Sequence, residues 1–124
     1  MQWTFEIPGT LPSLNDYIRA ERANRFAAAG LKKKAQAAIV EAMGEEPPRF
    51  EGGVEVHVLW VRPDMRTDKD NVAFAKKFVL DALQEAGVIA KDSWRLCTPY
   101  DSGFLVSKAN PRTIVTVKTA DATR

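Results

Sequence analysis

A chain of 124 residues and 13.8 kDa is one domain by length, and its 45% hydrophobic and 27% charged residues exclude a wholly disordered polymer. Its single cysteine, Cys97, excludes an intrachain disulfide framework and suits a reducing compartment. Eighteen basic against sixteen acidic residues leave a net charge of +2, which alone announces no nucleic-acid partner.

Residues 2–7 alternate, with Trp3, Phe5 and Ile7 on one face, and read as a strand. Residues 8–13 hold two prolines and a glycine and read as a loop. Residues 16–43 are helical in composition, with Gly30 expected to break or bend the helix. A loop with Pro47 and Pro48 follows over residues 44–53. Residues 54–61 form the strongest strand pattern. Val54, Val56, Val58 and Trp60 face one way, and Glu55, His57, Leu59 and Val61 the other.

Residues 72–86 form the strongest helix pattern, a stripe of Val72, Ala75, Val79, Ala82, Leu83 and Ala86. Asp70 or Asn71 can cap its front, and Gly87 can end it. Two late strands are expected over residues 94–100 and 113–118, and a fraying tail over 119–124. The expected fold is a single α+β domain spanning residues 1–124. It has one mixed β-sheet with two helices packed on it. No apolar run approaches the roughly 20 residues of a membrane helix. Glu6 stands where a signal peptide would need an apolar stretch, so a cytoplasmic protein with no membrane partner is expected.

The near-neutral total hides a segregation. Residues 16–40 carry Arg19, Arg22, Arg25, Lys32, Lys33 and Lys34 against Asp16 and Glu21. Residues 63–71 carry Asp64, Asp68 and Asp70 against Arg66 and Lys69. A phosphodiester-processing enzyme needs both kinds of patch, cations for backbone phosphates and carboxylates for a divalent metal. Solvated charged faces are the plainer alternative.

In an extended stretch, Asp68 and Asp70 would share a face, and Asp92 could return a third carboxylate from the loop after the helix. Mg²⁺ keeps several waters, so two or three carboxylates suffice. The alternative is that Asp70 or Asn71 only caps the helix. An EF-hand is disfavoured, because the position that needs glycine is Ala73. Lys76 or Lys77 could stabilise charge at a scissile phosphate, or Lys77 could simply pair with Asp81. His57 is the only histidine and reads as structural, and Cys97 as a small core residue. Ser13 and Ser93 have no visible base partner, and there is no glycine-rich phosphate loop.

The segments TDKDN, KFVLDALQEAG and KDSW, at residues 67–71, 77–87 and 91–94, resemble the RusA family of Holliday-junction resolvases. Asp68, Asp70 and Asn71 match the start of that family's signature, Lys77 its lysine, and Gly87 and Asp92 its end. PSLNDYIRA at residues 12–20 looks like the family's early Asn-x-Tyr segment, and NPRTIVTV at 110–117 like its closing strand. The gap from Asn71 to Lys77 is about three residues longer than usual, a helical rotation of about 300°. Lys76 is therefore kept beside Lys77. Lys91 stands where the family often has a first acid.

The resemblance implies a cytoplasmic, bacterial or phage-encoded endodeoxyribonuclease that resolves four-way DNA junctions in recombination and repair. Asp68, Asp70 and Asp92 would hold Mg²⁺, or Mn²⁺, for metal-assisted hydrolysis, with Lys77 or Lys76 at the phosphate. Asn15, Tyr17, Arg19, Arg22, Arg25, Lys32, Lys33, Lys34, Lys69 and Asn71 would contact DNA. A homodimer is implied, and a twofold pair of sites suits a junction cut on two strands. A junction-binding protein of the same fold without catalytic activity is the alternative.

Overall fold

The computed structural model describes residues 1–120. The chain order is β1 (Gln2–Pro8), α1 (Leu14–Ala23), α2 (Arg25–Ala42), β2 (Val54–Arg62), α3 (Lys69–Ala73), α4 (Lys76–Glu85), β3 (Cys97–Val106) and β4 (Arg112–Thr119). The strands form one mixed sheet in the order β1-β4-β2-β3. β4 lies antiparallel to β1 and β2, and β3 parallel to β2. This is the expected α+β architecture. Among the described residues no helix is long and apolar enough to cross a membrane.

The strand alternation places the core. Phe5 and Ile7 of β1, Val54, Val56, Val58 and Trp60 of β2, and Val115 and Val117 of β4 are buried. They join Ala35, Ile39 and Met43 from the α2 segment and Phe78, Val79, Ala82 and Leu83 from α4 in one cluster. Helices thus cover one sheet face. His57, on the other, stacks on Tyr100 (4.6 Å between ring centroids) and bonds Glu55 at 2.9 Å, a structural role. Cys97 is buried, as expected.

The helix boundaries differ from expectation. The 16–43 segment breaks at Asn24, not at Gly30, through which α2 runs unbroken. Asn24 is extended (φ −177°, ψ 165°), and its Oδ1 accepts the Ala27 N–H at 2.8 Å, capping α2. Its own N–H donates to Ala20 O, closing α1. A side-chain cap thereby prevailed over glycine's low propensity. At the front of α1, Ser13 and Asp16 form a reciprocal capping box.

The expected 72–86 helix starts earlier and is two segments. At the link, Ala75, Lys77 and Phe78 donate to carbonyls three residues back, a 3₁₀-like tightening that interrupts the α pattern. Gly87, at φ +76°, terminates α4 as expected.

β3 runs on to Val106, well past the expected strand. Its Pro99 and Gly103 argue against a strand on propensity, but an edge position tolerates a missing N–H. A bulge lets Val58 pair with Asp101 and Leu59 with Gly103, leaving Ser102 as the extra residue. The expected fraying from residue 119 is also corrected. Thr119 N–H donates to Met1 O and Ala120 N–H to Gly53 O. Residues 121–124 of that tail lie outside the described residues.

Candidate nucleic-acid interface and acidic pocket

β2 delivers the chain to the acidic segment. Beyond Arg62 the backbone turns through residues 63–68 and enters α3. Arg62, Asp64, Thr67, Asp68, Lys69 and Asp70 line a cavity of about 490 Å³, closed on the other side by Phe104, Leu105 and Val106 of β3. Asp68 stands at the N-cap of α3 but makes no side-chain cap bond, and Asp70 lies in its first turn. Neither Asp70 nor Asn71 serves as the cap. The carboxylates of Asp68 and Asp70 are exposed and make no ion pair or hydrogen bond within the described residues. They are left to solvent or to a ligand.

Asp64, read from sequence as part of the acidic cluster but not as a metal ligand, is the third carboxylate of this cavity. Its signal was its presence in the same acidic run. It accepts the Arg66 N–H at 3.0 Å. Lys69 reaches over the Phe104 ring, 5.7 Å from the centroid, so one cation sits among the acids. Among the described residues, no group of three or more His, Cys, Asp or Glu side chains is arranged to hold a metal ion.

Asp92 is not in this cavity. Its backbone N–H donates to Gln84 Oε1 at the end of α4, and its carboxylate lies near the Cys97 thiol. Cys97 pairs with Val54 at the start of β2, whereas Asp68 follows the end of that strand. A strand of this length separates the two ends by about 25 Å. The expectation that the loop after the helix returns to Asp68 fails within one chain, because β3 is parallel to β2. A parallel strand must start at the end where β2 starts.

The lysines are also resolved. Lys76 Nζ lies 2.8 Å from Asp101 Oδ2, and Asp101 Oδ1 accepts the Trp60 indole N–H at 3.0 Å. Asp101, unnoticed in the sequence, shares the strand face of Cys97 and Pro99 by simple alternation and holds Lys76. Lys77 is exposed. It does not pair with Asp81, which instead meets Lys32 Nζ at 3.8 Å and Gln36 Nε2 at 3.4 Å on α2.

The basic residues divide among several surroundings. Lys32 turns to Asp81, Arg25 lies over Phe26, and Arg19 lies 3.7 Å from Asp16. Arg22, Lys33, Lys34 and Asn15 are exposed, and Asn71 is half-buried. Tyr17 packs against Phe74 and Phe78 at 5.5 and 6.2 Å between centroids, so its ring anchors α1 to α3 and α4. Arg62 bonds Leu11 O before α1 and Thr67 Oγ1 before α3, each at 3.4 Å. This guanidinium ties the root of the basic hairpin to the acidic loop.

A scan against protein-family models and a search of curated proteins found no match to this chain.

Proposed function

We propose that the protein is a Mg²⁺-dependent endonuclease of four-way DNA junctions, acting as a homodimer, as the resemblance to the RusA family implies. The supporting observation is the tethering of two opposite charge patches. Exposed, unengaged Asp68 and Asp70 open beside the root of the basic α1–α2 hairpin, joined to it by Arg62. A DNA backbone laid along the hairpin would bring a phosphate to the carboxylates.

The donor chemistry suits a hard cation, since Mg²⁺ takes one or two carboxylates and fills its shell with water. Asp68 and Asp70 would hold it, with Asp64 beside them; Mn²⁺ would suit the same oxygens. The bound ion would polarise the phosphate and activate water. Lys69 and Arg62 would hold phosphate oxygens at the cavity, and Arg22, Lys33 and Lys34 the flanking backbone. Lys76 acts by fixing Asp101, so Lys77 remains the freer candidate at the reacting phosphate.

The dimer has a specific task in this reading. One chain cannot bring its own Asp92 to Asp68, but a twofold partner can present its Asp92 end to the acidic cavity of the first. Each site would then gain a carboxylate from the other protomer.

Asp70→Asn should bind a synthetic junction within about threefold of wild type and lose cleavage by about 10²-fold or more. For millimolar affinity, 10 mM Mg²⁺ would stabilise the wild type by about 1.4 kcal/mol. That corresponds to a rise in Tm of about 4 °C, absent in Asp70→Asn. Undiminished cleavage by Asp70→Asn overturns the assignment. The engagement of Lys76 and the remote Asp92 favour, as a second reading, a protein that binds junctions without cutting them. A cleavage assay with Mg²⁺ or Mn²⁺ separates the two.

A further inference from the structure

Charge accounts for only half of the cavity beside α3. Asp64, Asp68 and Asp70 with Arg62 and Lys69 make one side, and Phe104, Leu105 and Val106 the other. Of the six large apolar side chains exposed among the described residues, three, Met65, Leu105 and Val106, line this one space. A metal ion and a phosphate are held through charge and hydrogen bonds and have no use for such a wall. We propose that the cavity also takes a nucleobase, that of an unpaired nucleotide of the DNA strand, stacked on Phe104. This rests on the reading of the cavity as a DNA site.

Phe104 supplies the platform. Its ring is half-buried on the edge strand β3, and Lys69 Nζ lies over it at 5.7 Å from the centroid. Lys69 is exposed, so the ring it reaches opens to the cavity and is not sealed in the core. Any nucleobase has a π-face to offer such a ring, whatever the sequence. Met65, 87% exposed at the rim, carries a flexible thioether that can close on the other face of the base. As the base enters, Lys69 passes from the ring to the phosphate of the same nucleotide. Arg62, whose two bonds are long at 3.4 Å, can turn to the same oxygens.

Size and shape select an unpaired nucleotide. At about 490 Å³ the cavity is of small-ligand size. A base inside a duplex offers only its edge, because its faces are covered by its neighbours in the stack. Unstacking costs least where pairing is already lost. A branch point, where strands exchange and stacking is interrupted, is such a place, so Phe104 would favour branched DNA over plain duplex. A second copy seated on Leu105 and Val106 is the competing occupant. The ring with two cations beside it favours the nucleotide.

The test uses the full chain in EDTA at low salt, so that neither metal nor cleavage enters the result. Anisotropy compares a labelled oligothymidylate with a strand that carries the same phosphates on abasic sugars. The wild type should bind the base-bearing strand at least about fivefold more tightly. Phe104→Leu keeps an apolar side chain and should abolish that preference, whereas Phe104→Trp should retain it. Lys69→Gln should weaken both strands alike and lower the salt slope by about one. Circular dichroism melts verify folding of each variant, and the comparison of strands in the wild type needs no variant. Equal binding of the two strands by the wild type, an unchanged preference in Phe104→Leu, or a shift from dimer to monomer in Leu105→Gln overturns the proposal. Junction cutting without a base preference would remove the base site and leave the nuclease reading standing. A base preference without cutting would support the base site and remove the nuclease.

Discussion

Replacing Asp101 should distinguish two roles of one carboxylate. Trp60 is 2% exposed, and its indole N–H has Asp101 Oδ1 as acceptor at 3.0 Å. Asp101→Ala leaves that donor buried without a partner, which costs about 1–3 kcal/mol. It also removes the Lys76 pair. With 23% and 29% of the two side chains exposed, solvent screening limits that contribution to about 1 kcal/mol. The expected total is about 3 kcal/mol, or about 10 °C in Tm for a domain of this size. Asp101→Asn keeps an acceptor for Trp60 and loses only the ion pair, so it should cost about 1 kcal/mol. Lys76→Met should cost a similar amount, and a double-mutant cycle of Asp101→Asn with Lys76→Met should recover a coupling of about 1 kcal/mol. Urea unfolding followed by far-ultraviolet circular dichroism measures all four. Equal losses for Asp101→Ala and Asp101→Asn would refute the indole argument, and zero coupling would refute the ion pair.

Three further outcomes are expected. In junction binding, Lys33→Gln and Lys34→Gln should each reduce the salt slope by about one, while Lys32→Gln should change it less because Lys32 is turned to Asp81. Equal slopes for all three would contradict that distinction. Mixing Asp70→Asn with Asp92→Asn protein should restore nicking if Asp92 acts across the dimer. Neither site of the mixed dimer is intact if Asp92 acts within its own chain, so persistent inactivity would disprove the exchange. Burial, then the charge and hydrogen bond of Asp92, push the Cys97 thiol up from 9.0 to about 11. The unfolded thiol therefore ionises first, and stability falls as pH rises from about 9 through 11, by about 3 kcal/mol at most. Cys97→Ala should flatten that alkaline limb in chemical denaturation, and an unchanged limb would exclude the thiol as its source.

Local chemistry carries much of this protein. The alternation of Val54 to Trp60 marks the central strand because side chains two apart share a face, and burial confirms that face. Asp68, Asp70 and the basic run of residues 19–34 were legible as opposite charge patches. The single cysteine excluded an intrachain disulfide framework, and the near-neutral total gave no sign that the charges were segregated.

The rest depended on strand direction and on pairing between distant segments. The parallel alignment of β3 on β2 carries Asp92 to the far end of the sheet. The pairing of Asp101 with Val58 sets it on the face where it meets Trp60 and Lys76. Asn24 competed with Gly30 for the helix break and won through a side-chain hydrogen bond. Composition and spacing fix which side chains can share a local face. Which end of the molecule a residue reaches is decided when strands choose neighbours and directions, a choice made by the whole core at once.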